Sequence, residues 1–180
     1  MASPKDVVVH QLTFGQTLFE MFTSDLSDAE YFIPAAEGTN HIAWVLGHVA
    51  QTEDWMVGLL TGAERTVSED LQELFGGSSE CSPDAGKYPS RKELDEMFRS
   101  NRARAIKAAQ TVDDGCWDDA APEGGPPVDF FPTVGSIWGM MGMHQFWHLG
   151  QLTTCRSAMK KKRVLGWTRW PSKPYGRSVI

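Results

Sequence analysis

Four long stretches of this chain carry apolar residues at helical spacing, and no stretch alternates apolar and polar residues as a half-buried strand does. That pattern constrains the fold more than any single residue. The first stretch runs from about Pro4 to Ser24. Ser3 suits its N-cap, Pro4 its first turn, and Leu12, Gly15, Leu18, Phe19 and Phe22 share one face. The second runs from about Asn40 to Leu60, with Thr39 or Asn40 as cap, Thr61-Gly62 as stop, and Ile42, Val45, Leu46, Val49, Met56, Leu59 and Leu60 as its stripe. The third opens on a capping box, Ser90 with Glu93 three residues on, and reaches about Gln110. The fourth runs from a Thr133 cap to about Met159. A shorter helix is expected within 66–75, and the long connection before Thr133 is expected to carry function or structure of its own. The pattern predicts an all-α protein, a four-helix bundle over residues 1–165 followed by a tail, 166–180.

Charge is divided unevenly along this frame. The 180-residue chain has a net charge of −6, but residues 160–180 carry seven basic side chains and no acidic one. The acidic body is a poor match to a nucleic-acid backbone, so no nucleic-acid partner is expected. The basic tail is read as a strap that packs Trp167 and Trp170 back onto the body. No apolar run is long enough to span a membrane, and the start of the chain lacks the pattern of a signal peptide, so a cytoplasmic protein is expected. Three widely spaced cysteines, Cys81, Cys116 and Cys155, do not form a disulfide framework; Cys155 reads as a small core residue.

Three histidines sit where apolar residues are expected: His48 on the second helix and His144 and His148 on the fourth. On a wheel of about 100° per residue, His144 and His148 fall within about 40° of each other, among Ile137, Met141, Leu152 and Cys155. This places them in the middle of the apolar stripe. Residues four apart have Cβ atoms about 5–6 Å apart, so both rings can reach one ion. His48 lies toward the edge of its own apolar arc. Unpartnered imidazoles in an apolar core are costly, and a shared metal removes that cost. His41 is two turns from His48, about 10.5 Å along the axis, too far to share the ion, and belongs to the helix start. His10 is expected to be exposed.

Three protein ligands with one position open is the catalytic arrangement of a metal, not the closed structural one. Three imidazoles suit Zn²⁺, with Ni²⁺, Cu²⁺ or Fe²⁺ as alternatives. Metal-bound histidines normally donate the second ring N–H to a partner, and Gln51, Glu53, Asp54 and Gln151 are the polar candidates nearby. Glu53 is also the one candidate for a catalytic general base.

The elements Leu46-Gly47-His48 with Ala50, His144-x-x-x-His148-Leu149-Gly150-Gln151-Leu152, and Thr133-Val134-Gly135 resemble the DinB/YfiT-like superfamily of metalloenzyme-type proteins. The resemblance spans roughly residues 5–165. It implies a four-helix bundle with an unusual connection order, a homodimer, and a divalent metal on His48, His144 and His148, with Gln151 at a frequent family position. It also implies a small-molecule substrate and, as in some relatives, a thiol-dependent transferase or isomerase using a low-molecular-weight thiol. A metal-dependent hydrolase and a non-enzymatic metal-binding stress-response or sensor module remain alternatives.

Overall fold

The computed structural model of the chain describes residues 3–165 and contains five α-helices. They are α1 (Pro4–Thr23), α2 (Ile42–Thr61), the short α3 (Glu69–Leu74), α4 (Arg91–Thr111) and α5 (Val134–Ala158). The start signals of three long helices act as the sequence implies. Ser3, Ser90 and Thr133 each accept an N–H of the first turn, and Asp6, Glu93 and Ser136 reach back to close capping boxes. At α2 the cap is neither Thr39 nor Asn40 but His41, whose Nδ1 accepts the Trp44 N–H at 3.0 Å. Thr39 instead closes a tight turn onto Ala36. At the other end Gly62, with φ of 72°, takes the left-handed conformation that stops the helix.

Helix α2 packs between α4 and α5, and α1 completes the ring by packing on the same two helices. Consecutive long helices α1 and α2 therefore lie diagonally, as do α4 and α5. The core has two apolar halves. One gathers Leu18, Phe19, Phe22, Val45, Leu46, Leu94, Phe98 and Leu152 beside α3; the other gathers Val8, Leu12, Met56, Ala105, Ile137 and Trp138 beside the connection 112–133. Chain direction follows from these assignments: α1 and α5 run from the second half to the first, α2 and α4 the opposite way.

Between the two halves every long helix contributes to one polar layer. Arg102 of α4, wholly buried, donates to both carboxylate oxygens of Glu53 on α2, to the Leu12 carbonyl of α1 at 2.7 Å, and to Gln145 of α5. Gln145 in turn donates to the Gln11 and Gly142 carbonyls, at 2.7 and 2.9 Å. At Gly15 the α1 backbone comes so close that a methyl group would overlap the Gln145 side chain.

The long connection before α5 has structure of its own. Ala120 pairs with Thr133 as an isolated antiparallel bridge, and the carbonyls of Asp119 and Trp117 accept the N–H groups of Val134 and Gly135 at 3.0 and 2.9 Å. These first-turn donors have no partner within the helix, so the connection completes its N-terminus. At the other end Lys161 pairs with Glu30 at 2.7 Å, and Arg156 of α5 pairs with Asp25. The basic segment is thus tied to the acidic body as far as its first residues; the packing expected of Trp167 and Trp170 lies outside the described residues. Among the described residues no helix is long and apolar enough to cross a membrane.

Candidate metal centre

His48, His144 and His148 meet where α2 faces α5, on the α3 side of the polar layer. The Nε2 atoms of His48 and His144 are 3.3 Å apart, those of His144 and His148 3.0 Å. All three rings offer a nitrogen within 4.8 Å of the other two. Among the described residues this is the one such group of His, Cys, Asp and Glu side chains.

Two of the rings are fixed from behind. His48 Nδ1 lies 2.7 Å from the Phe75 carbonyl, an acceptor with no proton to give, so Nδ1 carries the hydrogen and Nε2 presents its lone pair. His148 Nδ1 lies 2.8 Å from Gln151 Oε1, with the same consequence. His144 Nε2 sits between these two lone pairs. With one hydrogen at most, it can donate to one neighbour and leaves the lone pair of the other without a donor. An ion removes the conflict. Bonds of about 2.0–2.1 Å in a tetrahedral arrangement set neighbouring donors about 3.3–3.4 Å apart, close to the spacing seen here. The donor set therefore fits a divalent metal on three imidazoles.

Electrostatics favour the same state. Burial pushes the proton affinity of all three rings down. His144 falls to about 3, with His148, His48 and Arg102 adding to the effect of burial. His148 falls to about 4, against the opposing pull of Gln151. His48 is lowered by burial despite its bond to the Phe75 carbonyl. At neutral pH the imidazoles are uncharged, as ligation requires.

Local sequence explains the placement. Gly47 lets the Phe75 ring lie against α2, where any Cβ would collide with it, and this brings the Phe75 carbonyl behind His48. Trp44, one turn before, stacks on the His48 ring with centroids 4.7 Å apart. On α5 the buried centre is Gln145, with Trp138, Met141, Leu149, Leu152 and Arg156, while His144 and His148 are only partly buried. The histidines thus flank the buried face and do not occupy its middle. A wheel read from hydropathy misses this, because it treats Gln145 and Arg156 as surface residues although both are buried by specific partners.

The other predicted residues separate. Gln151 backs His148. Gln51 instead accepts from Thr52. Asp54 is buried and anchors the segment after α2, accepting from the Thr66 and Val67 N–H groups and pairing with Arg104. Glu53, the residue expected as general base, is held in the polar layer. It is not a member of the histidine group, and both its oxygens are bound by Arg102 in a sealed pair. Burial pushes its carboxyl up, and Arg102 works against that. His41 donates toward Ser82 and His10 is exposed, so neither joins the group. Cys155 is buried beside the Asn40 carbonyl. The Phe75 carbonyl was not legible as a partner, since backbone acceptors carry no residue signature; Gly47 beside His48 was the available clue.

The model of the DinB superfamily matches residues 11–152. The chain belongs to the DinB superfamily. Among solved structures it is similar to a conserved protein of Enterococcus faecalis, at 14% identity and a TM-score of 0.71, over 89% of this chain and 100% of that one. At that identity the likeness shows the fold alone. No curated protein is matched. The bundle expected from the sequence is thus the DinB-like fold, and the histidines the family resemblance singles out are those that converge in space.

Proposed function

We propose that this DinB-like protein is a metal-dependent enzyme that joins a low-molecular-weight thiol to an electrophilic small molecule. The observation that carries the reading is the convergence of three Nε2 atoms, with the Nδ1 atoms of His48 and His148 committed elsewhere. His48, His144 and His148 would hold the ion, with Zn²⁺ as the first candidate and Ni²⁺ or Fe²⁺ as alternatives. An ion on three imidazoles with one position open favours the thiolate form of a thiol that occupies it.

The chain supplies the rest. The Phe75 carbonyl and Gln151 hold two rings in one tautomer and orientation, which presets their Nε2 atoms toward an ion. Trp44 closes the inner side of His48. A cleft of about 350 Å³, lined by His144, Trp147, His148 and Gln151, adjoins the two α5 histidines. Thiol transfer is preferred over hydrolysis on the family resemblance; no carboxylate belongs to the histidine group, and Glu53 is engaged by Arg102. In the proposed reaction a carbon–sulfur bond forms, the leaving group departs with its electron pair, and the thiol proton passes to solvent.

Two measurements test this. Elemental analysis of untagged protein should give close to one equivalent of metal per chain; no metal, and no uptake of added Zn²⁺ or Ni²⁺, overturns the site. Turnover of alkyl and aryl electrophiles with a panel of cellular thiols should vanish in His148→Ala while its helicity persists. Metal without turnover would favour the sensor reading. A homodimer is part of the same proposal: Val7, Phe14 and Met21 form an exposed apolar line on α1 at seven-residue spacing, a surface a second copy would cover. Native mass spectrometry of wild type and Phe14→Glu tests it, with a monomer expected for the variant.

A further inference from the structure

We infer that the mouth of the histidine site selects an uncharged ligand with a flat apolar portion, seated on Trp147 and extending past Gln151 toward Asn40. This rests on the three-histidine metal reading and concerns what the rim adds to it.

Trp147 is 77% exposed, whereas Trp44 and Trp138 are buried. It lies between His144 and His148 in sequence and lines the same cleft. An indole displayed at the entrance to a polar cluster is a stacking surface for a flat apolar group. Gln151 lines this cleft and also a second, of about 120 Å³, whose walls include Asn40, Thr39 and Thr154. Gln151 therefore borders both clefts, and a ligand that filled both would lie along it. Gln151 Oε1 is engaged by His148, which leaves its amide N–H₂ to donate to a carbonyl or hydroxyl on that ligand.

Among the described residues neither cleft is lined by Asp, Glu, Lys or Arg. Away from the ion, a carboxylate, phosphate or ammonium group drawn against these walls loses water without gaining a counter-charge from a described side chain. A neutral thiol with an aromatic substituent loses far less and gains the Trp147 face.

The full-length protein loaded with Co²⁺ tests this. Cobalt content and ligand-field absorption report the metal site. Sulfur-to-cobalt charge transfer then reports binding of benzyl mercaptan, 2-mercaptoethanol and the anionic 3-mercaptopropionate. Benzyl mercaptan should bind about tenfold more tightly than either of the others, the size of one well-made aromatic contact. Trp147→Ala should erase its advantage over 2-mercaptoethanol without changing cobalt content, and Trp147→Phe should restore most of it. Equal binding of the three thiols, tighter binding of the anion, or an unchanged preference in Trp147→Ala overturns the inference with the metal site intact. So does a Trp147→Ala variant that changes only the oligomeric state, since the indole would then belong to a protein interface. A protein that takes up no cobalt overturns the metal reading, and this one with it.

Discussion

Two polar regions lie side by side on α2 and α5, and they are finished differently. In the Glu53–Arg102–Gln145 layer the donors and acceptors of four helices meet one another, and Arg102 alone reaches Glu53, Gln145 and the Leu12 carbonyl. In the histidine group, which includes His144 just before Gln145 on α5, the chain fixes two rings from behind and leaves lone pairs facing each other. Buried polar groups that the chain satisfies itself serve the fold. Those it converges with too few protons to go round are compatible with an ion from outside.

The largest effect expected from this contrast is in the satisfied layer. Arg102→Met leaves Glu53 buried without a partner and should cost about 3–5 kcal/mol in urea unfolding. A loss below about 1 kcal/mol would mean the layer is not a structural tie. Next, His144→Ala should scarcely alter the metal-free protein but abolish stabilisation by metal. Wild type at a free Zn²⁺ concentration 100-fold above its dissociation constant gains about 2.7 kcal/mol, and the variant gains none. Equal thermal shifts in the two proteins would break the comparison. Gly15→Ala drives a methyl into Gln145 and should cost about 1–3 kcal/mol with metal uptake retained.

A further test is a pH dependence on the histidine side, small near neutrality and growing as the solution is acidified. The folded rings of His144 and His148 take up protons at about 3 and about 4, below their ordinary 6.5. Between those values the unfolded chain binds more protons, so stability is complete above about pH 6.5 and falls as the solution is acidified. Each histidine contributes a slope of at most about 1.4 kcal/mol per pH unit. The difference between metal-free wild type and His144→Ala, followed by denaturation from pH 7 to 4, isolates one such contribution. Parallel curves would show that His144 titrates normally in the folded protein.

Much of the bundle was legible because capping and periodicity are local. Ser3, Ser90 and Thr133 act on their own first turns, so residues three apart were enough to place three helix starts. His41 as the cap of α2 was missed because an imidazole acceptor is not a usual cap. The histidine trio was legible in part. Spacing paired His144 with His148, but His48 is 96 residues from His144, and spacing cannot measure that gap. Glu53 is the converse case. Its helix position puts it one turn from the right neighbourhood, and only the packing of α4 shows that Arg102 takes it.

The sequence by itself determined the helices, their caps, and the residue types able to bind a metal, because these depend on contacts within a turn or two. Only the tertiary structure decided the diagonal order of the helices, the polar layer, and which carbonyls stand behind which imidazoles. Those outcomes depend on distances between segments far apart in the chain, set when α2 packs against α4 and α5 and the two apolar halves close around Arg102.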